Sequence, residues 1–302
     1  MKYTKSNLLN NNFLEEEINL HLDFIISKTN LHTGFINIHT RRGERPVNDY
    51  SRIAFTLYSL SRITYLQEKN KLKNVKNIAR EEIIRIVNIN LFKLQSQNNN
   101  IKIYSYLYLA KAYINLNLNE AEIVNLFKKL DLRDLFSHPL SISLYITTFE
   151  KSKYMREDLF LTSVYNDCLK SSDFILHSNF SKKYYPLHFA ELCMAKDIPN
   201  FLYRSGHNFI INNLEKYLNG NYASSGYAKM LEYFAFIEDF ANFEKFTEKI
   251  NTRKHTNFEY FEIANPQNFK YIFTEGTETQ HINLDINTHI IQALLNFYEK
   301  NI

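Results

Sequence analysis

The sequence predicts an all-α protein, and three observations support this class. Apolar residues recur at the spacing of an amphipathic helix along most of the 302-residue chain. Only 6 Gly and 5 Pro interrupt the pattern, too few for the many turns of a sandwich, a barrel or a Rossmann-type fold. The connections between helical segments are short. We therefore expect about twelve helices that pair into about six helical hairpins, in a single domain over residues 1–302.

Six helices are predicted in the first half of the chain. The predicted ranges are 14–28, 50–67, 75–94, 101–116, 120–130 and 139–149. Asn48 or Asp49 would cap the second of these helices and Asn119 the fifth, because a side-chain oxygen there can accept the first free N–H groups. Pro139 opens the sixth, where its missing N–H costs nothing.

The second half continues the pattern until residue 250. Its predicted helices are 157–176, 187–196, 201–218, 224–237 and 242–250, followed by a last helix that begins near Asp285. Ser224 or Ser225 would cap the helix 224–237. Between residues 255 and 273 aromatic residues alternate with polar ones on both sides of Asn265-Pro266. This predicts a short β hairpin before the C-terminal helix.

Composition limits the compartment and the partners. The net charge of +4 comes from 36 Lys and Arg against 32 Asp and Glu, which is too mild to require a nucleic-acid partner. Cys168 and Cys193 lie within apolar helical patterns, as buried thiols do in a reducing compartment. The N-terminus lacks the apolar core of a signal peptide, and no apolar run approaches the ~20 residues that span a bilayer. We expect a cytoplasmic protein without a membrane span.

Three segments resemble the inner-helix entries of α/α toroids. They read H-T-G-F-I-N followed by N-D-Y-S-R-I-A-F-T-L-Y-S-L, then G-N-Y-A-S-S-G-Y-A-K-M-L-E-Y-F-A, and D-I-N-T-H-I-I-Q-A-L-L. Glycines precede each of these helices, at Gly34 and Gly43, Gly220 and Gly276. The group they resemble contains terpenoid cyclases, protein prenyltransferases and six-hairpin glycosidases. The resemblance covers about a quarter of the chain and bears on fold more than on function.

This resemblance implies that the hairpins close into a ring around a central cavity. The alternative is an open solenoid, for which we would expect a fixed repeat of ~34 to ~47 residues that the sequence lacks. The sharper motifs of the terpenoid cyclases, Asp-x-Asp-Asp and D-D-x-x-D, are missing from the sequence.

Asp285 and His289 are the first candidates for catalysis. They are four positions apart, so they share one face of the last helix. A carboxylate beside an imidazole orients it and raises its pKa, which suits a general acid or base near neutral pH. In a toroid this helix start would meet Asp49 and Arg52. The candidate catalytic residues are therefore His289, Asp285 and Asp49; the alternative is that Asp285 caps the helix and His289 is packed in the core.

A metal site is a second hypothesis for the same helix. The resemblance to prenyltransferases implies a zinc ion held by Asp, Cys and His, but no Asp-x-Cys lies near His289. His281, Asp285 and His289 could still supply three ligands and leave the open position that a catalytic zinc keeps. Zinc is thus the cofactor to consider, although no cofactor is required by the sequence.

The loop T-R-R-G-E-R-P-V-N-D-Y-S-R is the best candidate for an anion site. Arg42, Arg45 and Arg52 precede or open a helix, where phosphate, sulfate or carboxylate groups bind readily. Tyr222, near another helix start, is a further candidate for substrate binding. The alternative is an ordinary solvated basic loop.

Two functional hypotheses follow from these patterns. The first is an enzyme that acts on an anionic, isoprenoid or glycan-like substrate in a central toroid cavity, by acid–base or metal-assisted chemistry. Its reaction would be that of a cyclase or transferase, or of a lyase or hydrolase. The second is a non-catalytic, solenoid-like helical scaffold that binds a protein or peptide. Clustering of Asp49, Arg52, Asp285 and His289 in space would favour the enzyme.

Overall fold

A computed structural model describes the chain over most of its length. The described residues are 3–30, 35–36, 50–96, 103–128, 131–177, 185–220, 222–254, 273 and 284–302. Within them the chain forms 16 helices and almost no strand. The predicted all-α class is confirmed.

The long helices occur in the predicted order along the chain. The helices are α1 (Lys5–Leu8), α2 (Asn11–Ser27), α3 (Tyr50–Glu68), α4 (Arg80–Ser96), α5 (Ile103–Asn115), α6 (Glu120–Phe127), α7 (Leu132–Phe136), α8 (Pro139–Lys151), α9 (Lys153–Glu157), α10 (Leu159–His177), α11 (Tyr185–Leu192), α12 (Asn200–Asn212), α13 (Leu214–Asn219), α14 (Ser224–Phe236), α15 (Phe240–Asn251) and α16 (Leu284–Lys300). The strands β1 (Thr29–Asn30) and β2 (Phe35–Ile36) pair antiparallel.

Local capping signals explain several helix starts. The Asn119 side chain accepts the N–H of Ala121 and begins α6, as predicted. His138 caps α8, because its Nδ1 accepts the N–H of Leu140 at 3.2 Å. The predicted serine cap of α14 is wrong, since Ser224 is already helical and Ala223 precedes it without a side-chain cap. The candidate caps Asn48 and Asp49 lie outside the described residues.

Some elements differ from the sequence prediction. The helix expected over 201–218 is interrupted at Asn213, which separates α12 from α13. The short helices α1, α7 and α9 were not predicted, because four or five residues are too few to show a helical period. The predicted β hairpin falls almost entirely outside the described residues. Of that segment, Phe273 forms an isolated antiparallel bridge with Lys254.

Six helices pack on one another in succession. The contacts run from α3 to α5, α5 to α8, α8 to α11, α11 to α14 and α14 to α16, and α16 also packs on α3. The other long helices each lie against one or two of these six: α4 on α3 and α5, α10 on α8, α12 on α11, α15 on α14, and α2 on α16. The six helices α3, α5, α8, α11, α14 and α16 are called the inner helices below.

The inner helices are buried on nearly all sides. In α14 and α16, for example, most residues are buried, including polar ones. Both cysteines, Cys168 on α10 and Cys193 after α11, are free and buried, as predicted. Gly206 allows α12 to approach α11 closely, because a Cβ there would lie 2.9 Å from the Cys193 sulfur. In the described part of the chain, no helix is long and apolar enough to cross a membrane.

Candidate functional site

Two cavities lie between the inner helices, and the smaller one is formed at their starts. This small cavity has a volume of about 250 Å³. Its walls are formed by residues in the first two turns of the inner helices or just before them: Arg52 on α3, Tyr104 on α5, His138 and Leu140 on α8, Leu187 on α11, Ser225 on α14, and Asp285 and His289 on α16.

The large cavity is formed further along the same helices. Its volume is about 710 Å³. The polar residues in its walls include Arg62 on α3, Lys111 on α5, Thr147 and Lys151 on α8, Glu191 on α11, Glu232 on α14, and Gln292 and Glu299 on α16. Phe55, Tyr108 and Lys229 contact both cavities. All six inner helices therefore run in the same direction, from the small cavity to the large one.

His289 lies between two carboxylates. Its Nδ1–H donates a short hydrogen bond to Glu232, and its Nε2 lies 3.7 Å from Oδ2 of Asp285. The ring of Phe55 packs on the imidazole with centroids 4.3 Å apart. Burial alone would lower the pKa of His289, but Glu232 and Asp285 together raise it to about 9. The side chain is therefore an imidazolium at neutral pH.

Asp285 remains ionised beside it. Burial raises the pKa of this carboxyl, but the positive charges of His289 and Arg52 outweigh burial and hold the pKa below its ordinary value. Arg52, Asp285 and His289 all line the small cavity. The site therefore combines a fixed proton donor with a guanidinium at the same end of the inner helices.

A chain of buried ion pairs continues from His289 towards the large cavity. Lys229 contacts Glu232 at 2.8 Å and also contacts Glu191. Glu191 in turn contacts Lys111 at 2.6 Å. The charges alternate in sign along this chain, which consists of Asp285, His289, Glu232, Lys229, Glu191 and Lys111 and joins α16, α14, α11 and α5. Such alternation compensates each buried charge with a neighbour of opposite sign.

The charges of this chain fix one another's ionisation. Burial raises the pKa of Glu191, but the ammonium groups of Lys111 and Lys229 hold it well below its ordinary value. Burial lowers the pKa of Lys229, but Glu191 and Glu232 raise it well above the ordinary value. Burial also lowers the pKa of Lys111, and Glu191 offsets this only in part. Glu191 and Lys229 are therefore charged at neutral pH. Thr147 adds a hydroxyl that accepts from Lys111 and donates to Glu191, both at 2.6 Å.

Tyr58 is surrounded by cations in the large cavity. Lys151 Nζ donates a hydrogen bond to the phenol oxygen at 3.1 Å. The ammonium groups of Lys111 and Lys151 lie 5.6 Å and 5.4 Å from the ring centroid. Burial raises the pKa of this phenol, but Lys151, Arg62 and Lys111 bring it below the ordinary value. The potential at this end of the cavity is therefore positive.

No protein-family model, curated protein or solved structure matches the chain. Its function is therefore inferred from the geometry of the two cavities and of the charges between them.

The structure brings together part of the predicted site. Arg52, Asp285 and His289 line the same cavity, whereas Asp49, Arg42, Arg45 and His281 lie outside the described residues.

Tyr222 is placed elsewhere. It lines neither the small nor the large cavity. Its ring stacks on Tyr217 with centroids 4.6 Å apart, and its backbone N–H donates to the Tyr227 hydroxyl at 3.0 Å. These contacts hold it at the turn before α14, so its predicted contact with substrate would have to occur outside both cavities.

The predicted zinc site consists of His281, Asp285 and His289. Within the described ranges, no group of three or more His, Cys, Asp or Glu side chains is arranged to hold a metal ion. Both ring nitrogens of His289 already face carboxylates, those of Glu232 and Asp285. Zinc ligation by His289 would displace one of these contacts. Because His281 lies outside the described residues, the three-ligand set stays a prediction.

Most residues of the charged chain were not predicted from the sequence. Lys111 stands alone in the apolar run Y-L-Y-L-A-K-A-Y-I, and Lys229 and Glu232 stand in Y-A-K-M-L-E-Y-F-A. A charged residue in the middle of an apolar helix is the signal that could have found them, because such a residue needs a buried partner. His188 and Glu191 are three positions apart on α11 but have different partners: His188 Nδ1–H donates to the Pro139 carbonyl at 2.6 Å, and Glu191 accepts from Lys111.

Proposed function

We propose that the chain is an α/α toroid and that it is an enzyme acting on a small anionic substrate in the small cavity. His289 would be the general acid. The observation that carries this proposal is the placement of His289 in the wall of a cavity, with one carboxylate at each ring nitrogen.

The toroid is supported by the order and direction of the inner helices. Each packs on the next one along the chain, and the last, α16, packs on the first, α3. They all begin near the small cavity and extend towards the large one. An open solenoid would leave its first and last repeats without mutual contact. Contact between α16 and α3 is what closure of a ring requires.

General acid catalysis is supported by the protonation of His289. With a pKa of about 9, the imidazole carries its proton throughout the neutral range. The distance of 3.7 Å between Nε2 and Asp285 exceeds a hydrogen bond, so a substrate oxygen could accept the Nε2 proton as it enters. Glu232 would be a positioning residue, because it holds Nδ1 on the side facing away from Asp285.

The anionic substrate is supported by charge at the helix starts. Arg52 lines the small cavity, and the first turns of the inner helices point their free N–H groups and the positive ends of their dipoles towards it. The volume of about 250 Å³ is slightly below the usual range for small-molecule sites, roughly 300–1,000 Å³, which favours a compact substrate over an extended glycan. Acid-assisted loss of an oxygen leaving group, or protonation of a double bond, fits this arrangement.

The experiment is an activity screen with matched variants. A panel of small phosphate esters, diphosphates and carboxylates would be incubated with the protein, with His289→Gln, and with His207→Gln as control. His207 contacts Tyr233 at 2.6 Å and lines neither cavity. We expect turnover of an anionic compound that the control retains and His289→Gln loses by about 100-fold or more. Equal activity of the two variants would exclude His289 as the acid.

The second predicted function, a scaffold that binds a protein or peptide, draws on a different surface. Leu159 on α10 is 89% exposed, Phe174 on the same helix 65%, and Phe201 on the adjoining α12 59%. Large apolar side chains on neighbouring helices are typical of contact surfaces when they are contiguous. Turnover in the screen above would favour the enzyme over this alternative.

A further inference from the structure

We infer that the large cavity is a second binding site, for a small molecule that carries a phosphate group or a pair of carboxylates next to an apolar body. This site is distinct from the one proposed for catalysis, because it is lined by the later turns of the inner helices and His289 does not line it.

The cavity wall carries more positive than negative charge. Its cationic side chains are Arg62, Lys111, Lys151, Lys196, Lys229 and Lys300, and its carboxylates are Glu191, Glu232 and Glu299. Charge excess of one sign inside a concave, partly apolar wall concentrates the field and attracts ions of the opposite sign. The complement of this cavity is therefore an anion of more than one charge.

Within the described part of the chain, two of these cations form no ion pair with a carboxylate. Lys111 and Lys229 are paired with Glu191, Arg62 with Glu299, and Lys300 with Glu238. By contrast, no carboxylate of the described residues forms an ion pair with Lys151 or Lys196.

Of these two, Lys151 is the better placed. It reaches into the cavity far enough to bond the Tyr58 hydroxyl, so its ammonium stands beside the other cations around that ring. A phosphate or carboxylate would bind next to this ammonium.

The remaining wall fits an apolar body. Phe55, Tyr65, Tyr108, Met194 and Phe236 contribute aromatic or thioether surface to the same cavity. Its volume of about 710 Å³ lies within the range of small-molecule sites, roughly 300–1,000 Å³. Arg62 and Lys111 are buried and held by fixed partners, so the charged end of the site is already ordered before a ligand enters.

Another role of Lys151 must be separated from binding. It is the last residue of α8, where a cation offsets the negative end of the helix dipole. If that were its only role, Lys151→Met would lower the melting temperature slightly and leave anion binding unchanged.

The test is calorimetric titration with phenyl phosphate, phthalate and inorganic phosphate as probes. We expect saturable binding of phenyl phosphate or phthalate, with inorganic phosphate weaker because it lacks the apolar body. Lys151→Met should weaken binding about tenfold or more, the size expected for loss of one charge-assisted hydrogen bond. The arm that binds more tightly, phenyl phosphate or phthalate, identifies the charged group as phosphate or carboxylate.

Two controls make the test specific. Lys170→Met removes an exposed lysine of α10 that lines neither cavity, and it should leave affinity unchanged. His207→Gln, at a residue that lines neither cavity, should also bind normally. Because the titration measures binding without turnover, its outcome does not depend on the catalytic proposal. Absence of saturable binding by the unmodified protein, or equal weakening by Lys151→Met and Lys170→Met, would overturn the inference.

Discussion

Arg62 on α3 and Glu299 on α16 form an ion pair with Nη2 and Oε2 2.5 Å apart, although 237 residues separate them along the chain. The same guanidinium donates to the side chains of Gln292 at 2.6 Å and Asn296 at 2.8 Å. A single arginine of α3 therefore contacts three successive turns of α16. These contacts join the first and last inner helices and belong to the polar part of their interface, as does the hydrogen bond from the Gln292 amide to the Ser59 hydroxyl at 2.7 Å.

Arg62→Met tests how much this interface stabilises the fold. It leaves Gln292, Asn296 and Glu299 without their shared donor, and Arg62 itself is buried. We expect a loss of about 2–4 kcal/mol in the free energy of unfolding, measured by urea denaturation. Lys153→Met, which removes an exposed pair with Glu157, should change it by less than about 0.5 kcal/mol. Equal small effects would show that the contacts of Arg62 add little to the stability of the interface between α3 and α16.

Lys229→Met tests the buried chain of ion pairs. The substitution removes the ammonium that contacts both Glu191 and Glu232. The two buried carboxylates then repel each other without a cation between them. We expect a loss of about 3–5 kcal/mol in the free energy of unfolding at neutral pH. The double variant Lys229→Met/Glu232→Gln should recover part of it, because one uncompensated carboxylate is removed. No recovery would mean that packing around Lys229, rather than charge, determines the loss.

The histidine of the small cavity gives a pH dependence with a definite sign. The pKa of His289 is raised to about 9 in the folded state, whereas an unfolded histidine has a pKa near 6.5. Between these two pH values the folded state binds a proton that the unfolded state has released. Its contribution is complete below about pH 6.5 and is lost as the pH rises through 9, a change of about 3 kcal/mol. The difference in unfolding free energy between the protein and His289→Gln should therefore shrink from pH 6 to pH 10. A constant difference would contradict the raised pKa.

The sequence could predict what depends on neighbours along the chain. Asn119 and Pro139 mark helix starts because their own side chains act on the next turn. Asp285 and His289 share a helix face because they are one turn apart. These are local relationships, and residue spacing determines them.

The rest of the site depends on which helices are neighbours in space. Glu232 bonds to His289 across 57 positions, and Lys111 bonds to Glu191 across 80. No spacing rule connects residues so far apart, and a toroid and a solenoid would pair them differently. The break at Asn213 is a further case: the apolar pattern continues through it, but α13 packs on α15, a helix that begins more than twenty residues later.

His188 should show the opposite pH dependence from His289. It is buried, its Nδ1–H donates to the Pro139 carbonyl at 2.6 Å, and its Nε2 has no hydrogen-bond partner among the described residues. Burial lowers its pKa to about 4. Between pH 6.5 and pH 4 the histidine is therefore neutral in the folded state and protonated in the unfolded state. Its neutral form therefore favours folding at pH 7, and protonation of the unfolded state removes about 3 kcal/mol of stability as the pH falls from 6.5 to 4.

The measurement is urea denaturation of the protein and of His188→Gln between pH 4 and pH 7. The carboxylates titrate in the same pH range in both proteins. Their contribution therefore cancels in the difference between the two unfolding free energies. We expect the protein to lose more stability than the variant on acidification, because glutamine cannot take up a proton in the unfolded state. The glutamine amide can still donate to the Pro139 carbonyl, which limits the effect of the substitution at neutral pH. Parallel curves would mean that His188 is protonated in the folded state as readily as in the unfolded one.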